Sequence, residues 1–272
     1  MSIPVNGRLV EVPGVVTVPP AAFGGPRWAK LSDADHRVRP KLWIRQIIIH
    51  STRGQWPQPI VEAGGGKGSG GQAQHVADVW ATDPAHSAAQ ILVDAAGVVT
   101  SFCDVGLFMA YHAEGSNPWS VGIEMHQRED GCVFRSTIDA TVKTCIALCA
   151  ALDIPFQYNA APYHNAPLHR MEQGERAMRH NIGGPDCVGI FGHRDNTSER
   201  GRGDPGDAIY SALEAAGADG FDFEHSDDLR AGIQRQAALN ARGESLKLDG
   251  ICGPASMAAM RRQGFASWRD IR

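Results

Sequence analysis

Three strand-like runs of this sequence end in side chains that can do chemistry. IIIH closes a β-branched run on His50, VGIFGH closes another on His193, and SVGIE carries Glu124. In open α/β sheets, ligands and catalytic groups gather beyond the carboxyl ends of strands, so these three can converge. A polar turn follows His193 and reaches Asp204-Pro205-Gly206. Asp-Pro-Gly forces a tight bend and fixes the direction of the Asp204 carboxylate. Two imidazoles and a carboxylate form an N,N,O set of three ligands, which leaves the fourth corner of a tetrahedral zinc ion for water or substrate. Zinc so held lowers the pKa of its water towards about 7 and polarises a carbonyl, as an amide hydrolase requires. Singly, each residue has a plainer reading: a hydrogen-bonded histidine, an edge carboxylate, an ordinary turn.

The elements that must position these residues can be read from periodicity. Residues 42–49 (LWIRQIII) are too short and too β-prone for a helix. AAQILVD (88–94), a turn at Ala95-Ala96-Gly97, and VVTSFCD (98–104) predict a hairpin; SVGIEM (120–125) and CVGIF (187–191) predict two more buried strands. Apolar residues at helical spacing over 137–152 predict a helix that stops before Pro155, and DAIYSALEAAG (207–217) predicts one closed by Gly217. Residues 53–86, with GGGKGSGG at 64–71, read as a flexible loop. The fold class is therefore α/β, a mixed central β-sheet flanked by helices, plus a small C-terminal all-α unit. The expected divisions are an irregular Pro- and Gly-rich N-terminal arm (1–40), a catalytic domain (41–217), a linker (218–227) and a helical unit (228–272) with helices at 228–241 and 255–263.

Bulk properties narrow the function classes. At 272 residues, 43% hydrophobic and 21% charged, the chain has the balance of a globular protein. A net charge of −4 gives no long-range attraction to nucleic acid or anionic lipid. No run approaches the roughly 20 apolar residues of a membrane span, and MSIPVNGRLVEVPGVV lacks the apolar core of a secretory signal. The expectation is synthesis in the cytoplasm, with no membrane insertion. None of the six cysteines falls in a CxxC pair, and Cys145 and Cys149 read as reduced, packed thiols within a helix. Oligomeric state has no signature in the sequence.

IIIHST, AYHAEGSNPWSVGIEM, FGHRD and GDPG, from Trp43 to Leu213, resemble in order the blocks of the N-acetylmuramoyl-L-alanine amidases. That family shares its fold with peptidoglycan-recognition proteins and phage amidase lysozymes, and ILVDAAG with VVTSFCD resembles its central hairpin. The resemblance implies a zinc-dependent hydrolase of the lactyl–L-Ala amide of peptidoglycan. It makes His50, His193 and Asp204 the zinc ligands, Glu124 the acidic catalytic residue, and His112 with Asn117 the lining of the substrate site. Arg202 stands where the family usually has a lysine that stabilises the oxyanion; its planar fork keeps the charge but not the point geometry. Gln90 replaces a histidine common in the family's hairpin. His126, two residues from Glu124 on one strand face, is the alternative ligand should Asp204 point away. LRAGIQRQAALNARGESLKLDGICGPASMAAMRR resembles, in shortened form, a three-helix peptidoglycan-binding module; a helical cap packed on the amidase is the other reading. With no secretory signal, the resemblance implies a phage or prophage endolysin acting on the cell wall after release, or a bacterial enzyme exported by another route.

Overall fold

The computed structural model describes residues 2–18, 44–52, 60–61, 68–82, 87–128, 132–160, 188–196, 204–221, 229–246, 248, 254–265 and 271. Its strands are β1 Ser2–Val5, β2 Arg8–Glu11, β3 Thr17–Val18, β4 Gln46–Ser51, β5 Ile60–Val61, β6 Ile91–Val93, β7 Val99–Ser101, β8 Ser120–Met125, β9 Cys132–Val133, β10 Gln157–Asn159, β11 Gly189–Gly192 and β12 Asp219–Phe221. The helices are α1 Gln72–Thr82, α2 Arg135–Leu152, the single turn α3 His193–Asn196, α4 Asp207–Ala215, α5 Leu229–Asn240 and α6 Pro254–Arg262.

The main sheet has the order β12-β10-β11-β4-β8-β6-β7-β3, with β6 and β7 antiparallel and the other neighbours parallel. This is the mixed α/β sheet expected from the sequence. Its central strands are apolar on both faces because both are covered. Ile47, Ile49, Ile91, Val93, Val121 and Ile123 point into one core with Ile138, Cys145 and Leu148 of α2 and Ile209 and Leu213 of α4. Ile48 and Leu92, one residue out of phase, supply the opposite face. Cys145 and Cys149 are free and buried, as expected of packing residues, and burial pushes the Cys149 thiol up to about 12. Helix α2 ends where Asp153 turns left-handed (φ 58°), its N–H donating to the Cys149 carbonyl.

Three segments differ from expectation. Residues 2–18, read as irregular from their Pro and Gly, contain a hairpin and the sheet's edge strand. Asn6 and Gly7, at φ 53° and 75°, form its tight turn, the pairing that Asn-Gly favours between short strands. Asp104 then holds the turn to the body: its carboxylate accepts from Asn6 N at 2.7 Å and Gly7 N at 2.6 Å. The same carboxylate also accepts from Gly106 N and Leu107 N. Asp104→Ala is expected to cost about 1–3 kcal/mol, read as a lower midpoint in denaturant unfolding.

The second difference is α1, inside the stretch read as loop. Ala73, Val76, Ala77 and Trp80 form a helical stripe against Leu92 and Phe102, with Trp80 edge-on to Phe102 at 5.3 Å. Asp94 fastens the chain entering this helix, accepting from Gly71 N at 3.0 Å while holding Ala96 N and Val98 N of the hairpin turn.

The third concerns α5 and α6. α5 lies inside the first helical pattern expected, 228–241, and α6 begins one residue before the second, 255–263; the two helices are not packed on each other alone. Leu239, Met257, Ala259, Met260 and Ile271 belong to one buried cluster with Ile48, Ala113 and Phe191 of the main body. Arg261 also reaches Gln157 Oε1 at 3.3 Å and Asp219 at 3.4 Å. Among the described residues, no helix is long and apolar enough to cross a membrane.

Candidate metal centre

Strand β4 delivers His50 one residue before its end, and β11 stops so that His193 opens α3. The two strands are adjacent and parallel, with Gly192 paired to Ile49, so both imidazoles emerge at the same edge. Asp204 comes from the turn that returns to α4, and Arg194 N donates to its carbonyl at 2.7 Å. All three side chains are buried, and their candidate donor atoms lie within 4.8 Å of one another. His193 Nδ1 sits 2.9 Å from His50 Nδ1 and 3.0 Å from Asp204 Oδ2. Donors around a tetrahedral zinc are roughly 3.3 Å apart, so each of these two separations is within a few tenths of an ångström of what an ion would need. The far sides of two donors are already held. Asp204 Oδ1 accepts from Ser51 N at 2.9 Å, and His50 Nε2 lies 3.0 Å from His112 Nδ1. Such outer contacts would orient these groups towards an ion.

The neighbours among solved structures include amidases and peptidoglycan recognition proteins. N-acetylmuramoyl-L-alanine amidase LysC from Clostridium intestinale URNW is 13% identical with a TM-score of 0.40, over 74% of this chain and 98% of its own. A peptidoglycan recognition protein from the complex of tracheal cytotoxin with the LCa and LCx ectodomains is 15% identical at 0.43, over 74% and 95%. The hydrolase AmiA of Staphylococcus aureus, solved with its ligand, is 9% identical at 0.36, over 94% and 89%. No family model and no curated protein matches the chain in sequence.

Glu124 is the register partner of His50 across the β4–β8 pair. Paired residues of parallel strands project to the same face, so the half-buried Glu124 side chain leaves the sheet on the same face as His50. His126 follows β8, with its backbone N–H on Val93 O, and is not among the clustered donors. Asn117, expected to line the site, is buried with its Oδ1 accepting from His112 N (2.9 Å) and Ala113 N (2.7 Å). It holds the loop that carries His112. Gln90 is fully buried under the same loop, its Oε1 accepting from Gly122 N at 2.7 Å. Arg202 and the turn Asp249 to Gly253 lie outside the described residues.

Arg194, Asp195 and Tyr210 had no role in the sequence reading beyond the polar turn and a helix. Here they lock α3. Asp195 Oδ2 accepts from Gly192 N and from the Tyr210 hydroxyl, each at 2.8 Å. Burial raises the Tyr210 phenol well above its ordinary value, and the Asp195 carboxylate adds to the shift, so the hydroxyl keeps its proton and donates. Arg194 bridges to Asp207 at 2.6 Å and lies over the Tyr210 ring at 4.3 Å. The sequence signal was available: His-Arg-Asp directly after a buried strand, with a tyrosine one helix later.

Proposed function

We propose that this chain is a zinc-dependent N-acetylmuramoyl-L-alanine amidase that hydrolyses the lactyl–L-Ala amide of peptidoglycan, an endolysin of phage or prophage type. The observation that carries the metal part is the meeting of His50, His193 and Asp204 around one point, with Glu124 in register beside them. The substrate rests on the resemblance of the sequence blocks that bear those residues.

In this reading His50 and His193 bind through Nδ1 and Asp204 through Oδ2, the atoms that face one another. Zinc held there would supply Lewis acidity to a water and to the amide carbonyl. Glu124 accepts the water's proton and returns it to the leaving alanine nitrogen. Arg202 supplies positive charge to the oxygen that becomes negative. His112, on its Asn117-held loop, forms the wall behind His50.

Purified protein should release free alanine amino termini from sacculi, lose this activity in EDTA and regain it with zinc. Glu124→Gln should retain stoichiometric zinc while turnover falls by about 10²–10⁴-fold. Normal turnover in that variant removes Glu124 from the mechanism. Arginine in place of the family's lysine at 202 favours one other reading, a recognition module that binds peptidoglycan without cutting it. Tight sacculus binding by zinc-loaded protein with no released product selects that reading.

A further inference from the structure

Behind the proposed ligand His50 runs a chain of hydrogen bonds that sets which ring nitrogen bears its proton. It begins at Ser120, whose Oγ is 2.7 Å from the Ser116 carbonyl and 3.1 Å from His112 Nε2. A carbonyl only accepts, so the single hydroxyl proton goes to Ser116 and Ser120 Oγ must accept from His112 Nε2–H. A neutral imidazole protonated at Nε2 offers a lone pair at Nδ1. That atom lies 3.0 Å from His50 Nε2, so His50 donates there and keeps its own lone pair on Nδ1. His50 Nδ1 is the atom that faces His193 Nδ1 at 2.9 Å. The assignment follows from the partners at each link.

We propose that His112 and Ser120 are positioning residues: through this chain they fix the His50 tautomer and turn its Nδ1 lone pair into the donor set. The purpose of the device rests on the metal-amidase reading above; the proton placement does not. His112 is itself braced on several sides. Its ring meets the His50 ring edge-on at 82°, with centroids 5.1 Å apart. It occupies the space over Gly122, where a Cβ would come within 2.7 Å of His112 Cγ and 2.8 Å of Nδ1. Asn117 pins its backbone, as described. A ring braced on these sides offers Nδ1 to His50 and Nε2 to Ser120.

The test uses full-length, metal-free protein with ¹⁵N-labelled histidine, and a separate zinc titration against a competing chelator. Long-range ¹H–¹⁵N spectra should show His50 protonated at Nε2. In Ser120→Ala, which removes the acceptor without adding bulk, and in His112→Leu, the His50 signals should shift towards a tautomer mixture. Zinc affinity should fall about 10–100-fold in the histidine variant. His112→Asn, whose Oδ1 can accept where Nδ1 stood, should recover most of that loss. His50 protonated at Nδ1 in the wild type overturns the proposal. So do unchanged His50 signals and unchanged zinc affinity in both Ser120→Ala and His112→Leu. A wild type with the Nε2–H tautomer that takes up no zinc sinks the amidase reading while supporting the proton placement.

Discussion

His193→Ala should yield a folded protein that no longer retains zinc and whose amidase activity drops by about 10³-fold or more. The size follows from what the ion contributes: several kcal/mol of transition-state charge stabilisation, at a factor of ten per 1.4 kcal/mol. His193 is the middle member of the set, within 3.0 Å of both other donors. Its loss removes the donor that contacts both His50 and Asp204. The fold should survive, because the α3 turn is held independently by Asp195, Arg194 and Tyr210. Metal analysis and circular dichroism on the same sample check both halves. Full zinc occupancy with full activity would rule the assignment out.

The second large effect lies far from the site in sequence. Leu239→Ala, in α5, is expected to cost about 2–5 kcal/mol, because a fully buried leucine leaves a cavity on truncation. For a protein of this size that lowers the unfolding temperature by roughly 4–20 °C. Leu239 shares its cluster with Ile48 and Phe191, so the whole sheet should unfold earlier, in one transition. A unit tethered by a linker behaves otherwise: two transitions, with the substitution moving only one. Differential scanning calorimetry decides between them. Ile48 lies two residues before His50 on the same face of β4, so loosening the helices also loosens the floor beneath that proposed ligand. Zinc affinity should therefore weaken in the same variant.

The strands around the site were legible because each is a short β-branched run ending on a polar residue, a pattern that survives without any knowledge of contacts. Hence His50, Glu124 and His193 could be placed before their partners were visible. Asp204 needed the turn chemistry of Asp-Pro-Gly. What stayed hidden falls into two kinds. Local signals are present but outweighed: Asn6-Gly7 stands among prolines, and the Ala73–Trp80 stripe follows a run of glycines. Other features have no local signal at all. That Met257 and Met260 pack against Phe191 depends on where two distant segments meet, and so does the Ser120–His112–His50 chain. Asn117 was assigned to the site wall from its motif, while its carbonyl oxygen holds backbone that the sequence could not show bending back.

The strand order has a consequence for how the protein is made. Strand β4 is central, yet β11, its partner on one side, lies some 140 residues further along the chain. At 5–20 residues per second, a ribosome leaves that flank of β4 unpaired for roughly 7–30 s. During that interval the nascent chain displays an apolar strand edge of the kind that recruits other chains or a chaperone. The reactive constellation is delayed as well, since its last member emerges only after β11. A prematurely released polypeptide thus carries His50 and Glu124 but no assembled donor cluster.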